Sequence, residues 1–265
     1  MTSGRLLLIP VPIAEGDPAD TLPCATLAAA RACTRFLAEN AKSARAFLKA
    51  CGHPKPIAEL EIIEIGHEPD PSKFSEWLSS VRDGLDTAIV SESGCPAVAD
   101  PGSGLVKAAQ QMNIEIVPFA GPSSLILTLM ASGMNGQRFR FLGYLPVHEL
   151  ERRQSILDLE AESNKTGETE LFIETPYRNN RMLEALARTL QASTRITVAT
   201  DVTGKNQSIV TLTAGQWRQK GFDLPKLPTV FAVQAEPSRR GAGAQKPRTS
   251  SKPTHPQPRR HAPKR

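Results

Sequence analysis

Short apolar runs alternate with helix-length amphipathic stretches along most of this chain, and that alternation leaves few folds open. Strand-like runs fall at Arg5–Pro10, Arg35–Ala38, Leu60–Ile65, Asp86–Val90 and Ile114–Pro118. Helix-like stretches separate them at Cys24–Arg31, Lys42–Cys51, Ser72–Asp83 and Gly104–Met112. A strand that is followed each time by a helix returns parallel to its predecessor, so this half predicts an α/β unit around a largely parallel sheet. "GPSSLILTLMASG" then reads as an apolar helix, with Ser123 or Ser124 placed to cap it. After Gly136 the pattern restarts: "RFRFLGYL" as a strand, Glu149–Glu162 as a helix, "TELFIET" as a strand, "NRMLEALARTL" as an amphipathic helix. The closing runs "RITVAT", "SIVTLT" and "PTVFAVQAE" have hairpin-like spacing, which predicts a mixed second sheet. The expected organisation is an N-terminal α/β domain at 1–136, a C-terminal α/β domain at 137–236 and a tail at 237–265, with a hinge near Asn135–Arg138.

Charge sets the tail apart. Of 32 Lys and Arg in the chain, nine lie after Glu236 with no acid among them, leaving 23 basic against 27 acidic side chains before it. A segment with no large apolar residue cannot offset its ordering entropy by burial, so the tail is expected to be disordered and to attract polyanions. The body, by contrast, has apolar residues enough for a core. None of its apolar runs approaches the ~20 residues of a bilayer span. The opening "RLLLIPVPIA" is broken by two prolines and followed by no small-residue cleavage site, so a buried first strand is expected there rather than a signal peptide. Cys24, Cys33, Cys51 and Cys95 form no CxxC pair and have no His at ligand spacing, which points to reduced thiols, a cytoplasmic location and no metal site.

In open α/β sheets ligands bind beyond the carboxyl ends of the strands. Four Gly- or Pro-rich segments fall at such ends: "PVPIAEGDP", "SESGCPAVADPGSG", "PFAGPSS" and "ETPYRNN". The second runs from Ser91 to Gly104, where a plain strand-to-helix turn needs about 2–6 residues. Gly94, Gly102, Gly104 and Gly121 permit close backbone approach or positive φ in these loops. Neither GxGxxG nor GxxxxGK[ST] is present, and there is no Ser/His/Asp set. A cofactor without phosphate, held by backbone groups and an apolar slot for its base, suits such loops; S-adenosylmethionine is one such molecule, and spacing alone does not single it out.

"SESGCPAVADPGSGLV", "GPSSLILTLMASGM", "RFRFLGYLP" and "LFIETPYRNNRMLEAL", in this order, resemble the tetrapyrrole methylase superfamily of S-adenosylmethionine-dependent enzymes. The nearest branch in that resemblance is the bacterial 16S rRNA cytidine-2'-O-methyltransferases and their shorter relatives, and it covers about Arg5 to Glu236. It implies two α/β domains with the cofactor in the cleft between them, and a homodimer. By position it assigns Pro12 to the first cofactor loop, and Gly94, Cys95, Pro96 and Val98 to the loop after the fourth strand. Ser123 and Ser124 match the adenosine-side turn, Thr175 and Pro176 the second-domain wall, and Ala199 the next strand end. Cys95 departs from the Asp or Thr usual at its position, which leaves a backbone contact there rather than a side-chain one.

"AENAKSARAFLKACG" matches a segment that carries an acidic then a basic residue in the rRNA enzymes. Glu39 and Lys42 keep that order while Asn40 and Ala41 differ; the chain is also shorter than those enzymes at its C-terminal end. A ribose hydroxyl is a weak nucleophile that a neighbouring base or cation assists, and Glu39, Lys42 and Arg45 are the substrate-side candidates. For each, a solvated helix face is the competing reading. Arg178 either contacts phosphate or caps its own loop. Three functions stay open at this point: methylation of RNA, aided by the basic tail; methylation of a small tetrapyrrole; and a non-catalytic binding relative.

Overall fold

The structure, a computed structural model, describes residues 4–236; the tail expected at 237–265 lies outside the described residues. Five short strands, β1 (Arg5–Leu8), β2 (Arg35–Ala38), β3 (Glu61–Glu64), β4 (Thr87–Val90) and β5 (Glu115–Pro118), form the first sheet in the order β3-β2-β4-β1-β5. Every pairing in it is parallel, as the strand–helix alternation requires. β2 and β4 are buried on both faces, the pattern of central strands covered by helices on either side. One face takes α1 (Cys24–Ala32) and α2 (Ala41–Ala50), whose Leu27, Ala44 and Phe47 meet Leu7, Phe36 and Ala88. The other takes α3 (Phe74–Trp77), α4 (Ser79–Arg82) and α5 (Ser103–Gln111) through Trp77, Leu78, Val81 and Leu105.

The helix expected over Ser72–Asp83 is broken into α3 and α4 at Leu78. Ser79 Oγ donates back to the Glu76 carbonyl at 2.7 Å, a local side-chain bond that competes with the helical ladder.

The sixth helix, α6 (Ser124–Ser132), carries the chain to a second sheet of β6 (Phe139–Tyr144), β7 (Thr169–Glu174), β8 (Arg195–Thr200), β9 (Ser208–Thr213) and β10 (Thr229–Gln234). Its order is β6-β7-β10-β8-β9, with β6 and β7 parallel and the other pairs antiparallel. The sheet is mixed, and β8–β9 form the hairpin that the close spacing predicts. α7 (Glu149–Thr166), α8 (Asn179–Thr189) and α9 (Ala214–Lys220) cover one face around the stacked rings of Phe172 and Phe231, 5.4 Å apart. On the other face Leu125 and Leu129 of α6 pack against Leu171, Ala199, Val230 and Ala232.

α6 is apolar around most of its circumference, but one face, with Ile126 and Met130, is exposed. The stretch near Asn135–Arg138, expected as a hinge, is held by hydrogen bonds. Asn135 Oδ1 accepts from Gln137 N and Arg138 N, its Nδ2 donates to the Gly167 carbonyl at 2.8 Å, and its carbonyl accepts from Thr169 Oγ1.

Candidate functional site

β1 and β4 are neighbours, so the loops that leave them rise side by side. They are tied by a two-bond bridge: Val11 N donates to the Gly94 carbonyl at 2.9 Å and Gly94 N to the Val11 carbonyl at 3.2 Å. The loop after β4 then turns back on itself. Gly94 sits at φ 75°, and Ala97 and Ala99 occupy left-handed backbone at 65° and 61°. An L-residue there costs about 1–2 kcal/mol, strain that the surrounding contacts must hold. Val98 N bonds the Cys95 carbonyl and Ala97 N the Pro101 carbonyl, closing the turn.

Between these loops and the strand ends of the second sheet lies a cavity of about 340 Å³, within the size range of small-molecule sites. Gly94, Cys95, Val98, Ser123, Ser124, Thr175, Pro176 and Ala199, drawn from four separate stretches of sequence, all line it. Pro12 and Pro96 do not; the residue next to Pro12, Ile13, does. Ser123 stands at the cap position of α6, but its side chain makes no capping bond, contrary to the expected cap. The residue lines the cavity.

The floor is apolar, with Ile13, Leu125, Ile173, Val202 and Val230. Three charged side chains line the wall, Asp100, Glu174 and Asp201, and all three are carboxylates. Such a wall repels a phosphate and favours a cation, so the chemistry fits a sulfonium- and ammonium-bearing cofactor with an apolar base.

Glu174 is nearly fully buried at the end of β7 and is tied down through one oxygen: Oε1 accepts from Thr175 N at 2.6 Å and from Arg178 Nε at 2.9 Å, and pairs with Nη2 at 2.6 Å. Arg178 therefore caps its own loop, the second of the two roles open to it in the sequence. Removing it leaves a buried carboxylate without its cation. Arg178→Ala is expected to cost about 2 kcal/mol, below the usual loss for a buried pair because the guanidinium is partly solvated. A chemical unfolding curve unchanged from wild type would refute this.

Glu39, Lys42 and Arg45 do not line the cavity. Lys42 and Arg45 are exposed on α2, and neither makes an ion pair among the described residues. Glu39 is buried just beyond β2, with both oxygens engaged: Oε1 with His67 Nδ1 at 2.6 Å, Oε2 accepting from Glu92 N at 2.9 Å. It ties the ends of β2, β3 and β4 together. Asp100 faces this cluster from the cavity side. Its carboxyl is pushed up to about 7, first by burial and then by Glu39 and Glu92, partly offset by the Ser91 hydroxyl and by His67. The sequence contained a signal for Asp100, the one Asp in the long Ser91–Gly104 loop. His67 and Glu92 follow different strands, and no spacing rule connects them to Glu39.

A family model described as Tetrapyrrole (Corrin/Porphyrin) Methylases matches residues 10–217. A Micromonospora olivasterospora protein named ribosomal RNA small subunit methyltransferase I is 32% identical over 188 residues, 71% of this chain and 56% of that one. Its Pseudomonas aeruginosa namesake is 32% identical over 71% of this chain and 61% of its own length. For Xylella fastidiosa the figures are 33%, 74% and 67%. The chain thus spans just over half to two thirds of the length of these three relatives. The fold is shared with the crystal structure of the methyltransferase CobJ, at TM-score 0.59 and 19% identity over 88% of this chain and 95% of that one. It is also shared with a uroporphyrin-III-C-methyltransferase from Thermus thermophilus, at TM-score 0.52 and 17% identity over 87% and 92%.

Proposed function

Because this chain belongs to the tetrapyrrole (corrin/porphyrin) methylase family, we propose that it is an S-adenosylmethionine-dependent methyltransferase acting on ribosomal RNA, with the ribose 2'-oxygen of a cytidine as acceptor. The observation that carries the reading is the cavity. Loops of the first sheet and strand ends of the second converge there on an apolar floor with carboxylates and, among the described residues, no Lys, Arg or His on the wall. Gly94, Cys95, Val98, Ser123 and Ser124 would hold the cofactor from one side, and Thr175, Pro176 and Ala199 from the other. The bound cofactor supplies an electrophilic methyl group; the chain's part is to bring the acceptor oxygen into line with it, where alignment contributes on the order of 7–11 kcal/mol in favourable cases. The relatives' names support RNA over a tetrapyrrole as acceptor.

The test is transfer of labelled methyl from S-adenosylmethionine into ribosomal subunits, total RNA and uroporphyrinogen, side by side. Label in subunits alone is the expected result. Label in the tetrapyrrole alone would replace the acceptor while keeping the cofactor. No binding of S-adenosylhomocysteine by calorimetry would remove both.

RNA needs cationic surface, which the acid-rich body supplies sparingly. Exposed Lys42 and Arg45, and the nine positive charges after Glu236, are the groups we assign to it. Joint replacement of Lys42 and Arg45 by Ala is expected to weaken RNA binding several-fold without altering S-adenosylhomocysteine affinity. Truncation after Glu236 is expected to weaken all RNAs alike and to flatten the salt dependence, by about 0.7 in log–log slope for each single-strand phosphate that the tail no longer neutralises. Filter binding at several salt concentrations separates the two. An unchanged slope after truncation would leave the tail without this role.

A further inference from the structure

We propose that Asp100 is the catalytic base of the methyl transfer, and that Glu39, which does not line the cavity, is a positioning residue behind it. This rests on the reading of the chain as a methyltransferase. The argument starts from the three carboxylates on the cavity wall. Glu174 is locked to Arg178 and to Thr175 N. Asp201 accepts from Asn206 N at 2.8 Å within the β8–β9 turn. Among the described residues Asp100 makes no ion pair, and the Ser91 hydroxyl is the donor beside its carboxyl, which leaves an oxygen to take a proton.

Glu39 is placed differently. Its side chain is 6% exposed and both of its oxygens are occupied, one by His67 and one by Glu92 N. It cannot take a proton from an acceptor without breaking the bonds that join three strand ends.

The groups facing Asp100 come from every neighbouring element. Glu39 follows β2, His67 follows β3, and Glu92, Ser91 and Cys95 belong to its own loop after β4; Glu174 and Asp201 stand across the cavity. The carboxylates and the burial hold its carboxyl near neutrality, where a general base combines an available anionic form with useful basicity. The left-handed turns at Ala97 and Ala99 fold the loop so that Asp100 returns to the wall.

In the step, the acceptor oxygen bonds to the methyl carbon as the carbon–sulfur bond breaks. The electron pair of that bond stays on sulfur and discharges the sulfonium. The acceptor proton passes to the Asp100 carboxylate, which afterwards loses it to solvent.

The test compares Asp100→Asn and Glu39→Gln with wild type in the full chain. Asp100→Asn is expected to slow transfer into ribosomal subunits by about a hundredfold or more, with S-adenosylhomocysteine affinity falling far less than the transfer rate. Wild-type transfer is expected to fall as pH drops through about 7. Glu39→Gln removes a charge that raises the Asp100 carboxyl, so its acid limb is expected to move to lower pH.

A ligand-free readout uses thermal unfolding. A carboxyl raised in the folded state contributes stability that is full below its ordinary value of 3.8 and lost as pH rises through about 7. Asp100→Asn lacks that loss, so its melting temperature relative to wild type is expected to climb across this window. Wild-type transfer rates in Asp100→Asn, or equal loss of ligand binding and transfer, would overturn the proposal, as would a melting difference flat with pH. Failure of wild type to methylate any acceptor would instead bring down the functional reading and this inference with it, and the melting comparison would tell the two failures apart.

Discussion

Gly121→Val is expected to lower the melting temperature by about 10 °C and to weaken ligand binding by forcing apart the loops after β1 and β5. A Cβ at Gly121 would lie 2.2 Å from Pro10 Cβ, 2.7 Å from Pro10 Cγ and 3.3 Å from Leu22 Cδ2. Pro10 is a closed ring on the chain leaving β1, so no rotamer change moves it aside. The loops after β1 and β5 are further fixed by Phe119 N donating to the Leu8 carbonyl at 3.0 Å and Thr26 Oγ1 donating to the Ala120 carbonyl at 2.7 Å. Overpacking costs typically about 1–3 kcal/mol when neighbours can relax. Here backbone must separate, so at least about 3 kcal/mol is expected, out of a net stability of about 5–15 kcal/mol. For a chain of this size that corresponds to about 2–4 °C for each kcal/mol. Circular dichroism against temperature checks it, and a melting point within about 2 °C of wild type would contradict the close approach of the two loops.

The fold was legible because its signal is periodic. A buried parallel strand such as "TAIV" reads as one apolar run, and the helix after it restores the 3.6-residue pattern, so strand order within each half was the main unknown. The break at Leu78 was not legible, since it depends on one hydroxyl choosing the Glu76 carbonyl.

For the site, glycine and proline marked the loops, and eight residues that the resemblance assigned to the cofactor are among those that line the cavity. After β1, Ile13 lines the cavity and its neighbour Pro12 does not, and nothing in the sequence separates the two. The charge cluster was invisible because it is tertiary. Glu39, His67, Glu92 and Asp100 follow three different strands and meet only once β3, β2 and β4 lie side by side. A hydrogen bond that spans 28 residues, from Glu39 to His67, leaves no spacing to read. Ser123 carried two signals: the local one, a capping role, is not used, while the residue does line the cavity.

Gly94 looks like Gly121 in the sequence, a glycine in a loop beyond a strand, yet its replacement is expected to do something different. A Cβ at Gly94 would lie 3.2 Å from Ile13 Cγ2 and 3.6 Å from the Pro122 carbonyl oxygen, and the first of these is the end of a side chain that can rotate. The fold therefore tolerates the added atoms. The cavity does not, because Ile13 and Gly94 both line it and the movement is into the space between them. Gly94 also sits at φ 75°, which a β-branched residue adopts only under strain. Relief of that strain would open the Val11–Gly94 bridge and the turn carrying Cys95 and Val98 with it. Gly94→Val is expected to cost about 1–2 kcal/mol in stability and to weaken S-adenosylhomocysteine at least about a hundredfold, or about 2.8 kcal/mol at 1.4 kcal/mol per decade. Calorimetry on the variant, at a temperature where circular dichroism shows it folded, reads the two effects separately. Ligand affinity equal to wild type in the folded variant would mean that the bridge between the first two loops is not part of the site.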